Sequence, residues 1–153
     1  MACDLGIDYA QGSVWDEIKL HMPTDVKQTV RIEGQQFVWN FTHPGKDGQL
    51  DTADDIVLIN QMTVPVNEKI RFELGSKDVL HSFWVPELRL KQDAVPGRII
   101  AGWFAATKTG TYTIGCAELC GSGHTTMKAQ LHVLSEADYA QWLADNAPES
   151  EEP

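Results

Sequence analysis

Basic residues are scarce in this 153-residue chain: 12 lysines and arginines face 22 aspartates and glutamates, for a formal net charge of −10. That balance excludes nucleic acid as a partner, because phosphate binding needs a basic surface. It suits a cationic partner, such as a lysine-rich protein. After Ser135 there is no base at all. Six acids follow (Glu136, Asp138, Asp145, Glu149, Glu151 and Glu152), leaving 12 bases against 16 acids in residues 1–134. The closing "APESEEP" reads as a solvated tail. Cysteine is sparse too. Three cysteines in a chain this long make no disulfide framework, and Cys3 stands apart from the other two. No run of about 18 apolar residues occurs, so no helix of this sequence is expected to span a membrane. The opening "MACDLGIDYAQG" has neither the basic start nor the apolar stretch of a signal peptide. The expectation is a soluble piece.

Helical periodicity is nearly missing as well. Residues 1–25 are polar and turn-rich and read as a loose N-terminal arm. Strand signals begin at Val26, where Val26, Gln28, Val30 and Ile32 alternate with Lys27, Thr29 and Arg31. Further short runs, "QFVWNF", "IVLIN", "MTVPVN", "KIRFEL", "VLHSFWV", "GRIIAGWFAA", "GTYTIGC" and "KAQLHVL", are separated by Gly, Pro, Asn and Asp. Such spacing predicts an all-β Greek-key sandwich or barrel over 26–134. A helix is expected only in 135–153, where Ser135 and Asp138 form a cap for "EADYAQWLADN" ahead of the acidic tail. The 43–55 loop carries Asp47, Asp51, Asp54 and Asp55. Their spacing does not follow an EF-hand, so a solvated hairpin loop is the leading reading and a calcium site the alternative.

The densest chemistry lies in "CAELCGSGHTTM", residues 116–127. Cys116, Cys120, His124 and Met127 are soft or borderline ligands, and "GSG" lets the backbone turn tightly enough for them to converge. Thiolate and thioether favour copper(I), and imidazole suits both copper states. Zinc has no use for the methionine. A mononuclear blue-copper site needs one cysteine, two histidines and an axial methionine, so the second thiolate fits two coppers bridged by both sulfurs. Such a centre needs one more histidine. His81, ending an apolar run ahead of a proline turn, is the candidate. His132 looks structural, while His21 and His43 look like solvent-facing loop histidines. A local Cys116–Cys120 disulfide and a Cys–His nucleophile pair are the competing readings.

The loop resembles the binuclear copper (CuA) loop of cytochrome c oxidase subunit II, and "DVLHSFWVPELRLKQDAVPGR" (78–98) is similar to that family's second signature. The likeness runs from about Gly34 to Val133, two-thirds of the chain. A nitrous oxide reductase copper domain has a similar loop, but "AEL" before the second cysteine fits the oxidase. The resemblance implies a cupredoxin-like β-barrel in which Cys116 and Cys120 bridge two copper ions. His81 and His124 would each bind one copper, with Met127 and the backbone carbonyl of Glu118 as weak ligands. The Glu118 side chain matches a residue that helps bind magnesium at the subunit I interface of the full oxidase. Asp93 and Arg98 match positions facing subunit I. The family takes electrons from cytochrome c through the first tryptophan of a "Q-W-x-W" stretch. Here that stretch is Gln36-Phe37-Val38-Trp39, with Phe37 at the receiving position and Trp39 matching the second tryptophan. Both are electron-entry candidates, with strand packing as the competing reading, and a related cytochrome is the alternative donor. The acidic 47–55 loop is a candidate dock for a basic cytochrome.

The implied role is electron transfer from cytochrome c to the haem of subunit I, on the extracytoplasmic, bacterial periplasmic side. The domain itself has no substrate-transforming site. The family's N-terminal membrane helices are missing from this sequence, which implies a truncated fragment or anchoring by other subunits; the start at "MACDLG" favours truncation. A copper-delivery protein and a mononuclear blue-copper carrier are the rival functions.

Overall fold

Ten strands stack as two five-stranded sheets in a computed structural model that describes residues 2–148. The first sheet has the order β3-β2-β1-β5-β8, built from β1 (Gln28–Gln35), β2 (Val38–His43), β3 (Ile56–Ile59), β5 (Lys69–Ser76) and β8 (Ile100–Ala105). The second has the order β4-β10-β9-β6-β7. Its strands are β4 (Gln61–Pro65), β6 (His81–Val85), β7 (Leu90–Ala94), β9 (Gly110–Cys116) and β10 (Lys128–Leu134). Two parallel pairings, β1 with β5 and β4 with β10, break the antiparallel pattern and mark chain crossovers between the layers. This is the expected all-β, cupredoxin-like architecture.

Period-2 patterning dictates which face is buried. In β1, Val30, Ile32 and Gly34 point inward while Thr29, Arg31 and Glu33 are only half-buried. Arg31 is paired with Asp51 and also approaches Glu73. Inside, Trp39, Phe41, Phe72 and Phe83 interlock edge-on or tilted, with ring centroids 5.5–6.4 Å apart. Aromatic pairs at such separations add to the burial energy of the core. This core reaches the metal-loop end of the sandwich, where Cys116, Cys120 and Met127 join it.

All nine strand runs read from the sequence form strands. A tenth, β7, was not expected, because "LKQDA" carries three polar or charged residues. It is an edge strand paired only with β6, so alternate side chains can face water. The C-terminal helix α2 (Glu136–Asn146) starts as expected, with Ser135 Oγ accepting from the Asp138 N–H at 3.2 Å. Of the acidic tail, Glu149, Glu151 and Glu152 lie outside the described residues.

The N-terminal arm departs from expectation. It forms helix α1 (Ala2–Trp15), which runs on through a wider π-type turn to Leu20. Ile7, Val14, Trp15 and Ile18 remain exposed, so this helix is built locally and not by packing into the core.

One loop reading also changes. His43, expected to face solvent, is fully buried at the end of β2, its ring edge-on to Trp142 of α2 at 5.2 Å. The Asp-rich loop is held together by its own carboxylates. Asp51 takes a bidentate pair from Arg31 at 2.7 and 2.9 Å, and Asp54 accepts from Thr52 Oγ1 at 2.7 Å. Asp47 and Asp55 accept the Gln49 and Asp51 N–H groups. The loop therefore has the hydrogen bonding of a closed hairpin connection.

Candidate metal centre

Strand β9 delivers Cys116 at its last position, and the chain then leaves the sheet. Cys120 is set by the loop that follows, His124 opens a single 3-10 turn (His124–Thr126), and Met127 returns the chain to β10. Three backbone bonds fix this path. The Cys116 N–H donates to Met127 O, the Ala117 N–H to Ser82 O, and the His124 N–H to Gly121 O. His81 arrives from the neighbouring strand β6, where Phe83 pairs with Cys116.

The side chains converge as the sequence reading expected. Cys116 Sγ and Cys120 Sγ are 3.8 Å apart, too far for a disulfide bond. His81 Nδ1 is 3.8 Å from Cys116 Sγ, and His124 Nδ1 is 3.7 Å from Cys120 Sγ. Met127 Sδ lies 3.8 Å from Cys120 Sγ, and the Cys116 thiol points at the carbonyl of Glu118 at 3.2 Å. His81 is wholly buried, Met127 is 1% exposed, and Cys120 is 4% exposed. Burial, with the Cys116 thiol beside it, pushes Cys120 up to about 11. A cation among the thiols would oppose that shift and favour the thiolates. Two sulfurs, two imidazoles, one thioether and one carbonyl, each within 4 Å of a sulfur, fit a pair of coppers.

Two residues that the sequence reading gave no role hold this set in place. Asp78 Oδ1 sits 2.8 Å from His81 Nε2, so the Nε2–H donates to it and Nδ1 keeps its lone pair toward the sulfurs. Burial raises the Asp78 carboxyl, but bonds from the Gln36 N–H, His81 and the Val79 N–H outweigh it and hold the group below the usual carboxylate range. Gln36 is the second. Its N–H reaches Asp78 Oδ2 at 2.7 Å, while its side-chain amide donates to the Cys120 carbonyl. The β1–β2 turn thereby clamps the metal loop from the opposite sheet. An acid three residues before a histidine at a strand start was the available signal for Asp78. Gln36 offered none, because its partners are 42 and 84 residues away.

Phe37 belongs to the same clamp. A Cβ built on Gly123 would come within 2.5 Å of its ring, so the ring lies directly over that glycine. Trp39 is wholly buried against His81, with ring centroids 5.9 Å apart, so no partner protein can touch it. Asp93 accepts from Ser82 Oγ at 2.8 Å beside His81, whereas Arg98 is exposed after a turn in which Gly97 has φ +73°. His132 meets Thr111 on the sheet surface, and His21 pairs with Asp16 on the arm.

Residues 28–134 match the family described as cytochrome c oxidase subunit II, periplasmic domain. The alternative cytochrome c oxidase subunit 2 of Bradyrhizobium diazoefficiens is 38% identical, over 85% of this chain and 54% of its own length. The chain thus spans about half the length of that curated relative. The solved periplasmic domain of subunit II of cytochrome oxidase (CoxB) of Bradyrhizobium japonicum superposes with a TM-score of 0.71. It is 30% identical, over 82% of this chain and 96% of that one. A second solved structure is a mixed disulfide intermediate between thioredoxin-like TlpAs and subunit II of cytochrome c oxidase. It gives a TM-score of 0.67 at 32% identity, over 82% of this chain and 94% of that one. No helix among the described residues is long and apolar enough to cross a membrane. With its fold, its paired cysteines and this match along β1 to β10, the chain belongs to the family of cytochrome c oxidase subunit II periplasmic domains.

Proposed function

We propose that this chain is the electron-transfer domain of a respiratory oxidase, with Cys116, Cys120, His81, His124, Met127 and the Glu118 carbonyl holding two copper ions. One observation carries the reading: two thiols 3.8 Å apart, each with its own imidazole nitrogen 3.7–3.8 Å away. A pair of coppers bound there would share one electron and so store and pass it with little change in bonding. The residues supply rigidity. His81 is fixed by Asp78, the loop by Gln36 and Phe37, and the thiols by the backbone bonds of β9 and β10. His81, Cys116, Cys120 and Met127 are buried and His124 is half-buried, which limits the access of water to the donors.

In the whole oxidase the electron would come from cytochrome c or a related cytochrome and leave to the haem of subunit I. Phe37 lies over the loop as the aromatic contact. Asp93, Arg98 and the Glu118 side chain would face subunit I, with magnesium at Glu118 completed only there. A basic cytochrome docking on the 47–55 loop is disfavoured. That loop follows β2 at the end away from Phe37, and six residues of strand span about 20 Å. Assembly also needs both cysteines reduced. The pair is close enough to oxidise, and a relative has been captured in a mixed disulfide with a thioredoxin-like protein. A reductase of that class is the expected maturation partner.

Electron paramagnetic resonance of the copper-loaded chain tests the reading. Hyperfine coupling spread evenly over two copper nuclei is expected, and C120S should lose it. Coupling to a single copper in the parent chain sinks the two-copper assignment.

A further inference from the structure

β7 is an edge strand of the second sheet and β8 an edge strand of the first, and among the described residues no ladder joins them. The sandwich is open between these edges, and the N-terminal arm fills the gap only in part. Its π-type turn (Asp16–Leu20) reaches the opening, with Lys19 Nζ 3.3 Å from Gln92 Oε1 on β7. What remains is a groove of about 540 Å³, within the size range of small-ligand sites. Ile18, Leu88, Leu90, Trp103 and Phe104 give it an apolar lining. Leu88 and Leu90 pack on the core, so this floor is continuous with the inside of the sandwich. Strand alternation puts Leu90 on the face of β7 opposite to Lys91 and Asp93, and it is Asp93 that is assigned to subunit I. Lys91 reaches the rim as well but belongs to that other face.

Lys19 and Arg89 line the same groove, and no carboxylate does. Arg89 follows the single turn Pro86–Leu88, and its guanidinium has neither a hydrogen bond nor an ion pair among the described residues. Its backbone φ is +52°, in the left-handed region that favours glycine. This arginine costs backbone strain and gains no charged contact within a chain of net charge −10. A second groove, of about 260 Å³, lies on the arm. Exposed Val14 and Trp15 line it, and it shares Ile18 and Lys19 with the first. Two apolar tracks therefore meet at Lys19.

We propose that the joined grooves bind one anionic membrane phospholipid. The phosphate pairs with Lys19 and with the forked guanidinium of Arg89. One acyl chain lies on Leu88, Leu90 and Phe104, and the other along Val14 and Trp15, each removing apolar surface from water. A single-chain fatty carboxylate fills one track only, and a free phosphate ester fills neither. A flat anionic bilayer is a poorer fit, because the net charge of −10 repels it from the other faces. The site uses no copper ligand, so it stands apart from the two-copper reading.

Binding is read in the isotope-labelled chain from the Trp103 indole N–H and the Leu88 and Leu90 methyls. Dihexanoylphosphatidylglycerol, added as monomers, should shift all of these, and its affinity should fall as salt rises. Glycerol phosphate, laurate and dihexanoylphosphatidylcholine should each bind more weakly, for want of chains, of a second chain and of net charge respectively. R89G should weaken phosphatidylglycerol binding about tenfold, the effect of losing one hydrogen-bonded charge. Glycine adopts a φ of +52° freely, so R89G should keep or raise Tm, which separates lost binding from lost folding. V14S, at an exposed site on the second track, should weaken the two-chain lipid and leave its one-chain lyso form unchanged. Any comparison ligand that binds as tightly as phosphatidylglycerol overturns the proposal. So does unchanged binding by R89G, or an equal effect of V14S on both lipids. A Trp103 signal that moves with protein concentration alone would put a second copy in the groove and overturn it too.

Discussion

Asp78 shows how a single carboxylate decides whether a histidine can serve as a ligand. With Nε2–H committed to Asp78, the Nδ1 lone pair of His81 faces Cys116; without that bond both tautomers are open. D78N keeps the shape and loses the charge. Copper affinity should fall about ten- to a hundredfold, with a changed visible spectrum, when measured by competition with a chelator of known strength. An unchanged affinity would leave Asp78 with a packing role only. Gly123 gives a steric counterpart. Because an added Cβ meets the Phe37 ring at 2.5 Å, G123A should cost about 1–3 kcal/mol in denaturant unfolding, as overpacking does. The double variant F37A/G123A should recover part of the loss contributed by the clash, and full additivity would show that the two residues do not meet. The proposed ligands in 116–127 were legible because soft donors and a glycine turn cluster within twelve residues. Their supports were not, since Asp78 looks like any loop acid and Gln36 like any turn amide until the strands are paired.

At the level of elements, β2 joins the two ends of the molecule. It begins beside the metal loop at Val38 and ends at His43, sealed beneath α2. Burial holds His43 down at about 3, against an ordinary value of 6.5. The Thr63 N–H approaches Nε2 at 3.5 Å, and Nδ1 has no partner among the described residues. The folded state therefore keeps the ring neutral. Its stabilising effect is fully present above pH 6.5 and is lost progressively as pH falls toward 3. Thermal or urea unfolding across that window should lose up to about 1.4 kcal/mol per pH unit through this one residue. H43Q should flatten the profile, and a parallel slope in H43Q would assign the acid sensitivity to other groups. His43 was misread because a histidine before "PG" has the local signature of a loop, whereas its burial depends on α2, almost 100 residues later. The arm was misread for the opposite reason. Two glycines and scattered acids hid a helix that packs on nothing in the core, so no apolar face marked it.

For the molecule as a whole, the question is whether copper builds the site or finds it built. Strands, order and period were readable because the sandwich follows a period-2 code. Which strands neighbour one another was not, since the parallel β1–β5 and β4–β10 pairings join segments far apart in sequence. A separate antiparallel pairing sets β6 beside β9, and so brings His81 to Cys116. The donors already stand 3.2–3.8 Å from a neighbouring sulfur, backed by the packed core and by hydrogen bonds from both sheets. Binding then has little chain left to order, unlike small metal domains that are unfolded without their ion. The copper-free, reduced chain should fold by itself, with the same far-ultraviolet circular dichroism as the loaded one. Loading should raise Tm in proportion to the logarithm of free copper, because only the folded state gathers all six donors. Oxidising Cys116 and Cys120 to a disulfide should abolish that rise, and a thiol reductant should restore it. Calorimetry across a copper series checks this, and a chain that gains its β structure only on adding copper would refute a site built in advance.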